Sequence, residues 1–180
     1  MKNNPPAGFT IIELMVTLAV AAVILTVGIP SFKQTLDQNR LAVQVNDFIT
    51  SLNYARSEAV TRSMQITVCK SANSSAVLPA CTAAGSWDQG WITFTDSTAA
   101  GTIGVVDAGE NILRIHAALE GNIGLTQDAN FSNWIGYLPS GASSGNGGVA
   151  QGSFTLCHPP YARVLTINAT GRINLSKAGC

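Results

Sequence analysis

An α+β fold, with one long N-terminal helix packed on antiparallel β-sheets, is predicted for this 180-residue chain by three features. An apolar run opens the chain, and an amphipathic helical stretch carries it on to about residue 62. Beyond residue 63 the sequence breaks into short alternating segments separated by Gly, Ser, Asn and Asp.

Residues 9–29 are apolar except for Thr10, Glu13, Thr17, Thr26 and Gly28. At ~1.5 Å per residue such a helix covers the ~30 Å of a hydrocarbon layer, so the stretch reads as a transmembrane helix. Residues 1–8 form a polar leader whose one charge, Lys2, places it on the cytoplasmic side. A secretory signal differs, having an apolar centre of about 7–15 residues that ends in small-residue cleavage chemistry. A plain single-span anchor leaves Glu13 unexplained, since a carboxylate in a spanning helix costs on the order of 2.5–3.5 kcal/mol. A buried carboxylate needs a cation, and Glu13 predicts one.

Pro30 is expected to kink or loosen the helix where it leaves the hydrocarbon. The helix then resumes. Leu41, Val45, Phe48, Leu52, Ala55 and Ala59 recur at alternating spacings of four and three and so share one face. Arg40, Asn46, Asn53, Arg56 and Arg62 fall largely elsewhere, and Glu58 can meet Arg62 one turn on. Residues 30–63 are thus the amphipathic half of the same helix. About three heptads without an evident partner make a poor coiled coil, so this face is expected to pack on the chain's own sheet.

Residues 64–180 form one β-rich head of ordinary domain size. Strands are expected at 65–70, 90–95, 112–117, 123–125, 134–138, 153–157, 163–168 and 172–175, with Ala169-Thr170-Gly171 turning the last hairpin. Residues 71–87, 97–109 and 140–152 read as connections, the last Gly/Ser-rich and mobile. Trp87, Trp91, Phe94, Phe131, Trp134, Tyr137 and Phe154 are expected to fill the space between helix and sheet.

Ten basic residues balance ten acidic ones, which argues against a nucleic-acid coat or a polybasic membrane clamp. The distribution is less even. Residues 81–128 carry Arg114 against Asp88, Asp96, Asp107, Glu110, Glu120 and Asp128, whereas residues 129–180 carry Arg163, Arg172 and Lys177 and no acid. Catalytic patterns are absent in context. Gly141-Ala142-Ser143-Ser144-Gly145 has the letters of a hydrolase elbow without a helix after it, and Gly145-Asn146-Gly147-Gly148-Val149-Ala150 has those of a dinucleotide loop without a βαβ unit. Neither His116 nor His158 has a second ligand at metal spacing, and adjacent Cys157-His158 is no zinc pair. The chain is read as a non-enzyme without a cofactor or metal.

Lys2 in a polar leader, followed by Gly8, Phe9, Thr10, Glu13 and an unbroken apolar helix, resembles the class III signal of type IV pilins and type II secretion pseudopilins. The resemblance implies that a prepilin peptidase cuts between Gly8 and Phe9 and methylates the new amino terminus. It implies that Glu13 pairs with the terminal amine of a neighbouring subunit, and that the chain is a single-pass protein of the bacterial inner membrane with its head in the periplasm. In that oxidising compartment Cys69, Cys81, Cys157 and Cys180 predict two disulfides. Three pairings are open, and local closure favours Cys69–Cys81 and Cys157–Cys180.

A narrower resemblance covers nearly the whole chain. Cys69, Cys81, Trp87, Gly90-Trp91-Ile92-x-Phe94-x-Asp96, Gly109-Glu110-x-Ile112-Leu113-Arg114, Pro139-x-Gly141, Phe154-x-Leu156-Cys157 and Thr170-Gly171-Arg172, in that order, resemble the GspH/FimT family of minor pilins and pseudopilins. The family implies a type IV pilin-like fold with the helix on two small antiparallel sheets. It also implies low copy number in the priming or tip complex of a type IV pilus or a type II secretion pseudopilus, among other minor and major pilins or pseudopilins. FimT-like members of competent bacteria are associated with DNA uptake through a C-terminal Gly-Arg-x-Arg motif. Here the segment is Gly171-Arg172-Ile173-Asn174, without the second arginine. DNA contacts through Arg163, Arg172 and Lys177 are therefore expected to be weak, non-specific and salt-sensitive.

Overall fold

A computed structural model of the chain describes residues 8–97 and 101–180, with residues 27–30 described as helical backbone only. Most of the leader, with Lys2, lies outside the described residues, and so does the side-chain packing around Pro30. Helix α1 (Ile11–Arg62) runs for 52 residues and contributes to two compact units, Met1–Asn39 and Arg40–Cys180.

In the first unit residues 11–26 of the helix are exposed and, apart from Glu13, Thr17 and Thr26, apolar. An 18-residue window reaches a mean hydropathy of 2.4 with none of it buried in the chain. Its hydroxyls are satisfied within the helix: Thr17 and Thr26 donate to the carbonyls of Leu14 and Val23 at 2.9 and 2.8 Å. Polar side chains that turn back on their own helix ask nothing of a hydrocarbon surrounding.

In the second unit the helix is one-sided. Leu41, Val45, Phe48, Leu52, Ala55 and Ala59 are each at most 1% exposed, whereas Val43 and Val60 on the remaining surface are more than half exposed. The buried stripe is the one given by the four-and-three spacing. It packs within a core that two antiparallel sheets complete. Strands β1 (Ile66–Lys70), β2 (Trp91–Thr95), β3 (Ile112–His116), β5 (Trp134–Tyr137) and β6 (Ser143–Gly145) form the first, in the order β3-β2-β1-β5-β6. Strands β4 (Gly124–Gln127), β7 (Gly152–His158), β8 (Tyr161–Ile167) and β9 (Ile173–Gly179) form the second, in the order β4-β7-β8-β9.

Phe48 holds the centre of this core. Its ring stands edge-on to Trp87, Trp91 and Phe154 at centroid distances of 5.9, 4.9 and 4.8 Å, so one helix side chain meets both sheets and the turn that precedes β2. Edge-to-face pairs contribute about 0.5–1.5 kcal/mol each beyond the area they bury. Phe131 stacks on Phe154, and its carbonyl accepts from Trp87 Nε1 at 3.2 Å, which satisfies the buried indole. Disulfides join Cys69 to Cys81 and Cys157 to Cys180, the latter fastening the last residue of the chain to β7.

Two expectations about the head need correction. Phe94 and Trp134 do not lie between helix and sheet: they pack with Cys69 and Ile92 in a separate cluster. Successive strand residues face opposite ways, so with Trp91 turned to the helix, Ile92 and Phe94 must turn away from it. Residues 140–152 are also not a mobile linker. They contain β6, paired with β5, and a short 3₁₀ turn. A Cβ on Gly145 would come within 2.7 Å of the Phe131 ring, and one on Gly152 within 2.6 Å, so these glycines mark close packing.

Phe48→Ala is expected to lower the unfolding free energy by about 3–5 kcal/mol, against less than about 0.5 kcal/mol for Val43→Ala on the exposed side. Denaturant unfolding followed by tryptophan fluorescence measures both.

Candidate functional site

Gly8, Phe9 and Glu13 are the residues expected to carry processing and assembly. Gly8 is exposed, and a Cβ there would meet nothing within 4 Å, so packing within the chain does not require a glycine at this position. Phe9 is 86% exposed. The helix begins directly after them on a reciprocal cap. The Thr10 N–H and hydroxyl both donate to Glu13 Oε2 at 3.2 Å, and the Thr10 hydroxyl accepts from the Glu13 N–H at 3.2 Å. This is the capping box of a Thr-x-x-Glu pattern, and the positive end of the helix dipole adds to it. Among the described residues these bonds reach Oε2 and none reaches Oε1. Thr10 thus holds Glu13 in place and leaves half of the carboxylate available. The sequence signal for this role of Thr10 is Thr-x-x-Glu before an apolar run.

In the head, Arg56 of α1 organises the turns that carry the Gly171-Arg172 pair. Its Nε donates to the Gly141 carbonyl and its Nη2 to the Thr170 carbonyl, each at 2.9 Å. Gly141 belongs to the β5–β6 turn and Thr170 to the β8–β9 turn, so one guanidinium ties a hairpin of each sheet to the helix. Gly171 has φ +76°, and a Cβ there would collide with the Gly141 carbonyl oxygen and lie 3.1 Å from the Tyr137 ring. Asn168 Oδ1 accepts from the Thr170 hydroxyl at 2.8 Å and the Arg172 N–H at 2.9 Å, closing the turn. The glycine of the Gly-Arg pair is therefore a requirement of the turn, while the Arg172 side chain is exposed. Nothing local announces Arg56, whose partners lie 85 and 114 residues further on.

Of the three cations expected to contact DNA, two form one cross-strand pair. Arg163 and Lys177 stand directly opposite each other on β8 and β9. Arg172 lies outside β9, in the turn that precedes it, five residues before Lys177 and with its side chain exposed. Arg163 also donates to the Ala162 carbonyl at 3.0 Å.

The remaining chemistry-bearing side chains have structural partners. The buried Ser143 hydroxyl lies between the carbonyls of Ala150 and Asn168, joining β6 to the β8–β9 turn. His116 stacks on Trp91 with centroids 3.9 Å apart, and Arg114 lies 3.8 Å from the Tyr54 ring centre. Both line a cleft of about 270 Å³ between α1 and β3. Among the described residues no His, Cys, Asp and Glu cluster is suited to a metal. Asp96 is a buried carboxylate whose pKa is raised first by burial and further by Glu110 and Asp107, with hydrogen bonds from Thr67 and Gly104 opposing the rise. A carboxyl with a raised folded pKa costs stability as pH climbs above its ordinary range, ~3.9.

The family model described as type II transport protein GspH matches residues 44–171, and that of the prokaryotic N-terminal methylation motif matches residues 4–29. No curated protein gives a significant match. Among solved structures, the type IV minor pilin FimU of Pseudomonas aeruginosa superposes with a TM-score of 0.57 at 21% identity, over 77% of this chain and 90% of that one. A second crystal form of FimU gives a TM-score of 0.48 at 20% identity, over 79% and 91%. The first superposition agrees in fold with a long helix packed on antiparallel sheets.

Two outcomes are expected from stability measurements on the head. Gly171→Ala should cost well over ~1 kcal/mol, because strain at positive φ adds to a collision, while Arg172→Ala should stay within ~0.5 kcal/mol. Asp96→Asn should gain on the parent protein as pH rises from the carboxylate range toward neutrality, read from unfolding midpoints at each pH.

Proposed function

The chain belongs to the GspH family of type II transport proteins, and from that premise we propose that it is a low-abundance structural subunit that helps prime or cap a type IV pilus or a type II secretion pseudopilus. It is held by α1 as a single pass through the inner membrane, with its head in the periplasm. Prepilin peptidase removes the leader between Gly8 and Phe9 and methylates the new terminus, and the subunit then assembles with other minor and major pilins or pseudopilins.

The observation that carries this reading is the state of Glu13. It sits in the first turn of a helix apolar enough to cross a membrane, with local bonds to one carboxylate oxygen only. The next cation along the chain is Lys33, 20 residues on and ~30 Å away along a helix. Lys2 precedes the cut and leaves with the leader. The cations left to Glu13 in lipid are therefore terminal amines made by that cut, its own at Phe9 and a neighbouring subunit's, and the reading assigns the pairing to the neighbour's. Pairing the two removes both charges from hydrocarbon at once.

DNA uptake is the weaker reading, because Arg163 and Lys177 form one pair and Arg172 stands apart from it in the β8–β9 turn. With two phosphate contacts the logarithm of affinity would fall with a slope of only about −2 against the logarithm of salt concentration, a footprint too small for retention at physiological ionic strength. In a gel shift with the detergent-solubilised chain, no retardation of duplex DNA is expected at moderate salt, and a shift that persists there would restore the adaptor role.

Glu13→Val is expected to leave cleavage intact and to reduce incorporation into filaments several-fold, measured by immunoblotting of sheared fibres. Incorporation at the parental level would contradict the pairing. Amino-terminal sequencing of the mature protein should begin at Phe9, and a mature protein that begins at Met1 in cells with active peptidase would remove the subunit reading.

A further inference from the structure

The free edges of the two sheets are unequally guarded. β6 has three residues and β4 has four, while β3 has five and meets β2 with a register shift between Thr93 and Phe94. Short or irregular edges are how sheets avoid accepting further strands. β9 is neither short nor irregular, and its one guard is the edge charge of Lys177, which repels a cationic strand and attracts an acidic one. It runs for seven residues without a proline, pairs with β8 without a shift from Ile173 to Gly179, and is exposed from Asn174 onward.

The register shows which backbone groups are open. The Asn168 N–H bonds the Arg172 carbonyl and the Cys180 N–H bonds the Pro160 carbonyl, at the two ends of the ladder that sets Ile167 opposite Ile173 and Tyr161 opposite Gly179. Bonded and non-bonded pairs alternate along an antiparallel ladder. Asn174, Ser176 and Ala178 therefore bond β8, and the N–H and C=O groups of Ile173, Leu175, Lys177 and Gly179 point toward the open edge.

Charge indicates what kind of strand fits. Arg163 and Lys177 are directly opposed like charges, an unfavourable cross-strand pair, and residues 129–180 contain no Asp or Glu to relieve it. Leu175, half exposed, lies on the same face two residues away. We propose that β9 is a docking edge for an extended, acid-bearing segment of another polypeptide, which joins the second sheet as a fifth strand. The outward backbone groups supply its hydrogen bonds, Lys177 and Arg163 receive an Asp or Glu on its inner face, and Leu175 receives an apolar residue two positions from that acid. This surface is a property of the head alone and does not depend on Glu13 or on assembly.

A nine-residue fluorescent peptide, with Val and Glu alternating on one face and Thr between them, tests the proposal by anisotropy against the detergent-solubilised full chain. Saturable binding is expected, at least tenfold weaker with Lys177→Glu and recovered there by a peptide carrying Lys in place of Glu. Leu175→Pro should weaken binding, since it deletes an outward N–H and leaves the β8 ladder intact. The same peptide N-methylated at alternate residues should not bind, an arm that needs no protein variant and so holds even if Leu175→Pro fails to fold. Absence of binding at millimolar peptide would overturn the proposal. So would binding indifferent to N-methylation, or displacement of the peptide by a single-stranded DNA oligonucleotide at moderate salt, which would make the edge a simple anion patch.

Discussion

Between residues 11 and 26 no side of α1 is covered by the chain, and between residues 41 and 59 one side is covered completely. A single helix thus has to satisfy two surroundings. In its first half the sequence removes almost everything that would ask for water, and turns the Thr17 and Thr26 hydroxyls back onto their own helix. In its second half it keeps a narrow apolar stripe and gives the rest to polar residues. Glu13 is the exception in the first half, and the functional reading follows from it. Its Thr10 cap lowers the cost of the carboxylate without removing it, because a hydroxyl and an amide do not neutralise a charge.

The head is built on the second half of that helix. Phe48 meets aromatic rings from both sheets, and Arg56 binds a turn carbonyl from each. These two contacts act differently. The aromatic cluster buries large apolar rings, whereas the guanidinium fixes where the two hairpins stand, since its fork accepts only a narrow range of carbonyl positions. The turn that ends in Gly171-Arg172 needs a glycine because the Gly141 carbonyl oxygen, which Arg56 holds, occupies the space a side chain at Gly171 would need. A pattern that resembles a nucleic-acid motif is thereby accounted for, in its glycine, by packing.

What was legible in the sequence had a short period. The four-and-three spacing from Leu41 to Ala59 named the buried face without error, and strand alternation located eight of the strands, though it ended the last one at residue 175 when it runs to Gly179. What was not legible depended on distant residues. Ser143 to Gly145 looked like linker because small residues serve both loose chain and close packing, and only the Phe131 ring distinguishes the two. Phe94 and Trp134 were placed on the wrong side because an aromatic residue signals burial without saying on which face. Arg56 looked like one more solvated helix cation, since its carbonyl partners have no side-chain signature. Thr10 is legible from its Thr-x-x-Glu spacing alone, because a capping box needs only residues within one turn.

Glu13, the liberated amine and the lipid between them form the link on which the functional reading rests, and zero-length carboxylate–amine cross-linking of assembled fibres probes it directly. Peptide mapping by mass spectrometry should recover an adduct between Glu13 and the amino-terminal residue of a neighbouring subunit. Fibres that contain the protein but yield Glu13 only unmodified, under conditions where other close acid–amine pairs are joined, would contradict it.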